Sequence, residues 1–248
     1  MTATRLSSRV WLVGGSDGPA STDAWDGNQY LVWDGERGAL IDCGTGRGSK
    51  AWLDQVASVT GDLRTVDALL ITHYHADHAG GAAAAERAGL RVLGSPATAK
   101  ALRDGDEQTT SLVRARRAGV YPADYRMPPA PSAEEVPREL RFGRSVLRVI
   151  RAPGHCDGHL VFALEEPDGV ALFTGDTLFP GGRVSIQAIP DCRLDAYADT
   201  MHRLSRQPVV ALYPGHGGAE LDPGSAAESV RSASSSFARL VPPPNLLN

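Results

Sequence analysis

The sequence predicts a mixed α/β protein in which two β-sheets pack together with helices outside, an αββα sandwich. Two observations point there. Strand-like runs precede helix-like ones twice, once in each half of the chain, which suits two sheets better than one doubly wound sheet. A chain of 248 residues, 42% hydrophobic and 22% charged, is also long enough to bury a substantial core. A single domain spanning 1–248 is expected.

The first half reads as strands at 10–13, 29–33 and 39–43, the last two joined by the turn Asp34-Gly35-Glu36-Arg37-Gly38. The glycine-rich stretch Gly44-Thr45-Gly46-Arg47-Gly48 then leads to Ser49, a candidate N-cap for a helix over 50–59. It lacks both the Walker A lysine and the G-x-G-x-x-G order of a nucleotide cradle. A buried strand at 66–71, a helix at 81–87 ended by Gly89 and a strand at 91–93 complete a β-α-β pattern. Residues 96–119 read as helical. The stretch 121–137 is too rich in proline for a central strand and is expected as a surface loop. Residues 96–137 thus form a helical and proline-rich insertion, expected to cover the substrate. The second half offers strands at 145–151, 160–164, 170–174 and 209–213, with helices at 194–206 and 225–240. Pro242-Pro243-Pro244 predicts a frayed tail.

Composition removes several function classes. The formal net charge of −4 gives no general attraction to nucleic acid, and none is expected as a partner. No apolar run approaches the ~18–20 residues that span a bilayer, and the first nine residues lack a signal-peptide core. A soluble, cytoplasmic protein without a membrane partner is expected, as a monomer or homodimer. Cys43, Cys156 and Cys192 show no close pairing, so a disulfide framework is not expected.

The chemistry concentrates in Thr72-His73-Tyr74-His75-Ala76-Asp77-His78, at the end of an apolar run. Imidazole and carboxylate are donors that Zn, Fe and Mn accept. In an extended segment, alternation would send His73, His75 and Asp77 to one side and His78 elsewhere. Four donors at one strand end therefore suggest two ions side by side, one on His73 and His75, the other on Asp77 and His78. The second half adds Ala152-Pro153-Gly154-His155, Thr174-Gly175-Asp176 and Tyr213-Pro214-Gly215-His216, each following a strand with glycine immediately before the donor.

In this order the motifs resemble those of the metallo-β-lactamase-fold hydrolases, with Leu40-Ile41-Asp42-Cys43-Gly44 resembling the opening motif. The chain is most similar to glyoxalase II-like and lactonase-like members. The acid at Asp176 sets it apart from true β-lactamases. The resemblance implies two divalent metal ions, zinc first, with iron or manganese as alternatives. His73, His75 and His155 would hold one ion, Asp77, His78 and His216 the other, and Asp176 would bridge them. Asp42 and His159 would orient ligands from behind. The implied activity is hydrolysis of an ester, thioester or lactone of a small molecule by a metal-bridging hydroxide, with Asp77 as the catalytic proton donor. Alternatives within the resemblance are a mononuclear iron oxidoreductase like the persulfide dioxygenases, and a phosphodiesterase. Tyr74, Phe179, Arg117 and Tyr125 are the candidate substrate contacts. Phe179 stands where lactonases carry tyrosine, and Arg117 ends the cluster Arg114-Ala115-Arg116-Arg117.

Overall fold

A computed structural model of the chain describes residues 1–246. The last two residues of the expected 1–248 domain lie outside the described residues. The fold is mixed α/β with two sheets, as the strand pattern predicts. The chain forms two compact units, one of Met1–Val136 with Arg141–Ser145, the other of Pro137–Leu140 with the chain from Val146 on.

The first unit is built on a seven-stranded sheet, β1 (Thr4–Arg5), β2 (Val10–Gly14), β3 (Gln29–Trp33), β4 (Gly38–Ile41), β5 (Val66–Leu70), β6 (Arg91–Gly94) and β7 (Glu134–Glu135), in chain order. Strands β1 to β4 pair antiparallel, whereas β4, β5, β6 and β7 pair parallel. Every residue of β3 and β4 is buried, as expected of strands covered on both faces. Helix α1 (Ser49–Thr60) makes the crossover from β4 to β5 and buries Trp52, Gln55 and Val56, spaced to share one face. The N-cap is Gly48, not Ser49; the Ser49 hydroxyl turns back to the Gly46 carbonyl at 2.8 Å.

The helical stretch after β6 is two helices, α4 (Pro96–Asp104) and α5 (Leu112–Arg117), because Gly105 takes a left-handed conformation and stops the first. The proline-rich stretch is not a free surface loop. Tyr125, Met127, Ala130 and Ala133 are buried in the core of this unit, and the Tyr125 hydroxyl donates to the Thr45 carbonyl at 2.7 Å.

Asp34 fixes the β3–β4 turn by accepting the backbone N–H groups of Glu36, Arg37 and Arg144. Burial alone would raise the Asp34 pKa, but the N–H groups of Arg144, Arg37 and Glu36 outweigh it and hold the carboxyl below its ordinary value. A depressed folded-state pKa contributes stability above the unfolded value and loses it as pH falls through the folded value. We expect Asp34→Asn to lower the thermal midpoint at pH 7. The gap to wild type should narrow below about pH 4, where unfolded aspartate protonates.

The second sheet has five strands, in the order β12 (Val209–Pro214), β11 (Gly169–Gly175), β10 (Leu160–Glu166), β9 (Ser145–Arg151) and β8 (Glu139–Phe142), most of them in the second unit. Strands β9 and β11 run antiparallel to β10, and β12 runs parallel to β11. Helices α6 (Leu194–Leu204) and α7 (Pro223–Ala238) pack in this unit's core through Tyr197, Met201, Val230 and Phe237. The Tyr197 and Phe237 rings stack at 5.8 Å. The proline tail is tied down where fraying was expected. Val184 donates to the Pro244 carbonyl, and the Asn245 side chain bonds both the N–H and the carbonyl of Ile186 at 3.0 Å.

Candidate metal centre

Parallel pairing places the donors of the first unit. Ile41 lies opposite Leu70, so β4 and β5 end side by side, and Asp42 N–H bonds the Leu70 carbonyl at 2.9 Å. Asp42 therefore stands beside the chain leaving β5. The backbone at Asp42 is left-handed, with φ 60°, a conformation that aspartate tolerates better than most residues. Its Oδ1 accepts the Thr72 N–H at 2.8 Å, while Oδ2 accepts the Thr72 hydroxyl at 2.7 Å and faces His78 Nδ1 at 2.8 Å. One buried carboxylate thus holds the start of the histidine segment and one of its rings.

The segment itself bends. Asp77 and His78 lie in a single helical turn, α2 (Ala76–Ala79), followed by α3 (Ala82–Arg87). The expected strand-like alternation that would align Asp77 with His73 and His75 is corrected here. The turn forms because Ala79 and Gly80 return N–H bonds to His75 and Ala76. It folds His78 back, so that the His73 and His78 rings come within 4.3 Å, centroid to centroid, and His73 and His75 within 4.6 Å. Donor atoms of His73 and His75, of His73 and His78, and of Asp77 and His78 lie within 4.8 Å of each other.

Gly27 explains why the β2–β3 connection can pass so close. Its N–H bonds the Asp77 carbonyl at 2.9 Å, and a Cβ there would meet His78 Cε1 at 2.8 Å. Beside it, buried Asp26 accepts Thr22, Gln29 and both the N–H and hydroxyl of Thr45. Burial raises the Asp26 pKa, and these hydrogen bonds oppose the shift. Sequence reasoning missed this residue because its partners, Thr22, Gln29 and Thr45, only meet in the folded chain. Asp26→Ala should cost about 2–4 kcal/mol by leaving those donors unsatisfied, measured by denaturant unfolding.

In the second unit the donors again collect at one sheet end. Leu160 pairs with Arg151 and Phe162 with Phe173, so the chain leaving β9, the start of β10 and the chain leaving β11 meet there. Parallel β12 adds its own end through Gly215 N–H to the Gly175 carbonyl at 2.8 Å. His155 follows β9, Asp176 follows β11 and His216 follows β12. Gly154 has φ 147°, and a Cβ there would lie 2.6 Å from the Tyr197 ring, so glycine is required just before His155.

The carboxylate of Asp176 divides its two oxygens. Oδ2 faces His155 Nε2 at 3.7 Å and Oδ1 faces His216 Nε2 at 3.4 Å. Two ligands about 2.0–2.2 Å from one ion are about 3.3–3.6 Å apart in tetrahedral geometry, so both spacings approach what metal donors need. The rings are also oriented from behind. His155 Nδ1 is 2.9 Å from the Ser185 carbonyl, which fixes the proton there and leaves Nε2 directed at Asp176. His159 differs, because its Nε2 accepts the Asp176 backbone N–H at 3.1 Å and its Nδ1 meets Thr177 Oγ1 at 3.0 Å. That ring holds Asp176 in place. Tyr197 adds a hydroxyl bond to the Asp176 carbonyl at 3.1 Å and another to Ser185 at 3.0 Å. Tyr197 was not visible as a site residue, since it lies on an ordinary helix, α6.

Histidine and carboxylate donors with tautomers set by neighbours fit divalent metal ions. Among the candidate substrate contacts, Tyr74 is buried with its ring 5.7 Å from that of His75. Phe179 is also fully buried, Tyr125 is in the core of the first unit, and Arg117 is exposed at the end of α5.

Residues 22–238 match the model of the metallo-beta-lactamase superfamily. The chain belongs to this superfamily. It is 26% identical over 215 residues to an atrochrysone carboxyl ACP thioesterase of Aspergillus fumigatus, covering 86% of this chain and 57% of the relative. A protein of the same description from Aspergillus chevalieri is 29% identical over 194 residues, covering 77% of this chain and 51% of the relative. The Emericella nidulans lactamase-like protein aptB is 27% identical over 219 residues, covering 86% and 58%. The chain thus spans about half the length of the curated relatives it matches. Among solved structures, a Cronobacter sakazakii metallo-beta-lactamase superposes with a TM-score of 0.72 at 19% identity, covering 97% of this chain and 96% of that one. A B3 metallo-beta-lactamase with an active-site glutamic acid gives 0.71 at 19% identity, covering 96% and 90%. These likenesses establish the metallo-beta-lactamase fold. No helix among the described residues is long and apolar enough to cross a membrane.

Proposed function

We propose that this protein is a metal-dependent hydrolase of acyl thioesters. The observation that carries the reading is the Asp176 carboxylate, one oxygen on His155 and the other on His216, in a chain whose relatives include several named as thioesterases. The seven donors His73, His75, Asp77, His78, His155, Asp176 and His216 would serve two divalent ions, zinc first, with Asp176 shared. Bound there, such ions supply Lewis acidity and a water of lowered pKa at neutral pH.

The chain's own groups do the rest. Asp42 and Ser185 hold His78 and His155 in the tautomers that direct Nε2 forward, and His159 with Tyr197 fixes the Asp176 backbone. Asp77, part-exposed and 3.6 Å from His78 Nε2, would take a proton from the attacking water and return it to the departing thiolate. Phe179 carries no hydroxyl and is fully buried, which weighs against a lactonase that would draw an oxyanion donor from that position.

Metal analysis and a substrate panel on one preparation test this reading. Purified protein should carry about two ions per chain, as expected of a two-metal site. It should cleave thioesters faster than lactones or phosphodiesters, lose activity to a chelator and regain it with zinc or manganese. A single iron per chain with oxygen consumption would sink it.

A further inference from the structure

The first unit contains an open pocket of about 280 Å³ that none of the metal donors line. Three arginines line it, Arg47, Arg87 and Arg126, against one lining acid, Asp124. Two are held in place without being used up. Arg47 bonds Asp23 through Nε at 3.1 Å and stacks on Trp25 at 4.7 Å. Arg126 commits one terminal nitrogen to the carbonyls of Ala123 and Tyr125 at 2.9 Å each. Arg87 has no ion-pair partner among the described residues.

The pocket wall includes Ser49, the first residue of the twelve-residue helix α1. That helix has no acidic residue in its first turn to offset the positive end of its dipole. Gly46, Gly80 and Ala83 keep the floor low. Gly80 lies two residues beyond His78, so the floor is the chain that carries Asp77 and His78.

We propose that this pocket binds a phosphate-class anion. Planar guanidinium forks match phosphate oxygens in pairs. The net charge of −4 for the whole chain hides this local surplus of cation. The anion has two possible sources, a free phosphate or the phosphates of a thioester's carrier arm. The second source rests on the thioesterase reading above.

Pyrophosphate titrated by calorimetry into the metal-loaded protein tests the site. Arg87→Glu with Arg126→Glu should weaken its binding by about tenfold or more, as expected from losing charge-assisted contacts. His216→Ala should leave that Arg-dependent component in place. Equal affinity in wild type and the arginine variant, with circular dichroism unchanged, overturns the proposal. So does loss of all binding in His216→Ala. Arg87→Gln with Arg126→Gln guards against an effect of introduced acid and should show the same direction. Kinetics then separate the sources. A larger rise in KM for a coenzyme A thioester than for its N-acetylcysteamine counterpart assigns the carrier arm. Equal KM changes alongside lost pyrophosphate binding assign a free phosphate. If wild type cleaves neither thioester, the thioesterase reading fails while the titration still decides the pocket.

Discussion

Asp176→Ala should abolish hydrolysis and lower the metal content together. Its two oxygens face different imidazoles, His155 at 3.7 Å and His216 at 3.4 Å, and the proposed reading shares it between two ions. We expect kcat/KM to fall by on the order of 10³ or more, about 4 kcal/mol of transition-state stabilisation. Metals per chain should drop in the same preparation. Asp176→Asn keeps the shape but exchanges one anionic oxygen for an NH2 donor, and should fall between the two. Retention of both metals with normal turnover in Asp176→Ala would refute the shared role.

Asp42→Ala is expected to damage both stability and the site, for a different reason. The carboxylate accepts the Thr72 N–H, the Thr72 hydroxyl and the His78 ring in a buried setting. Removing it strands three donors and costs roughly 3 kcal/mol or more of unfolding free energy. Freed of its partner, the His78 ring loses its fixed tautomer, and metal affinity should fall by about 10–100-fold. Asp42→Asn separates the effects. It tolerates the left-handed backbone and keeps the Thr72 N–H bond through its oxygen, but its NH2 confronts the Thr72 hydroxyl and His78. It should recover stability more fully than metal affinity. Denaturant unfolding with parallel metal titration checks the pair; an unchanged metal affinity in both variants would show that Asp42 only supports the fold.

The order of strands and helices was legible because β-branched and leucine runs alternate with glycine and proline punctuation. Strands β3 and β10 and helices α1, α6 and α7 lie where the pattern placed them, within a few residues. The short edge strands β1, β7 and β8 escaped notice, since Thr4–Arg5 and Glu134–Glu135 have neither the length nor the apolar content of a strand. Pairing with a neighbour makes them strands. The donors were legible as types at spacings, but not the turn at α2, because four residues of helix leave no periodic trace. Asp26 and Tyr197 stayed hidden for a related reason: a carboxylate and a phenol in common surroundings acquire their roles only from partners distant in sequence.

The tail beyond α7 has a practical bearing on how this protein is handled. Asn245 grips Ile186 through both its N–H and its carbonyl, and Ile186 adjoins Ser185, whose carbonyl sets the proton of His155. Asn245 therefore works as a strap on the segment that orients the His155 ring. Shortening the chain before Asn245, or fusing a bulky tag near it, is predicted to degrade metal retention at a place far from any donor in sequence.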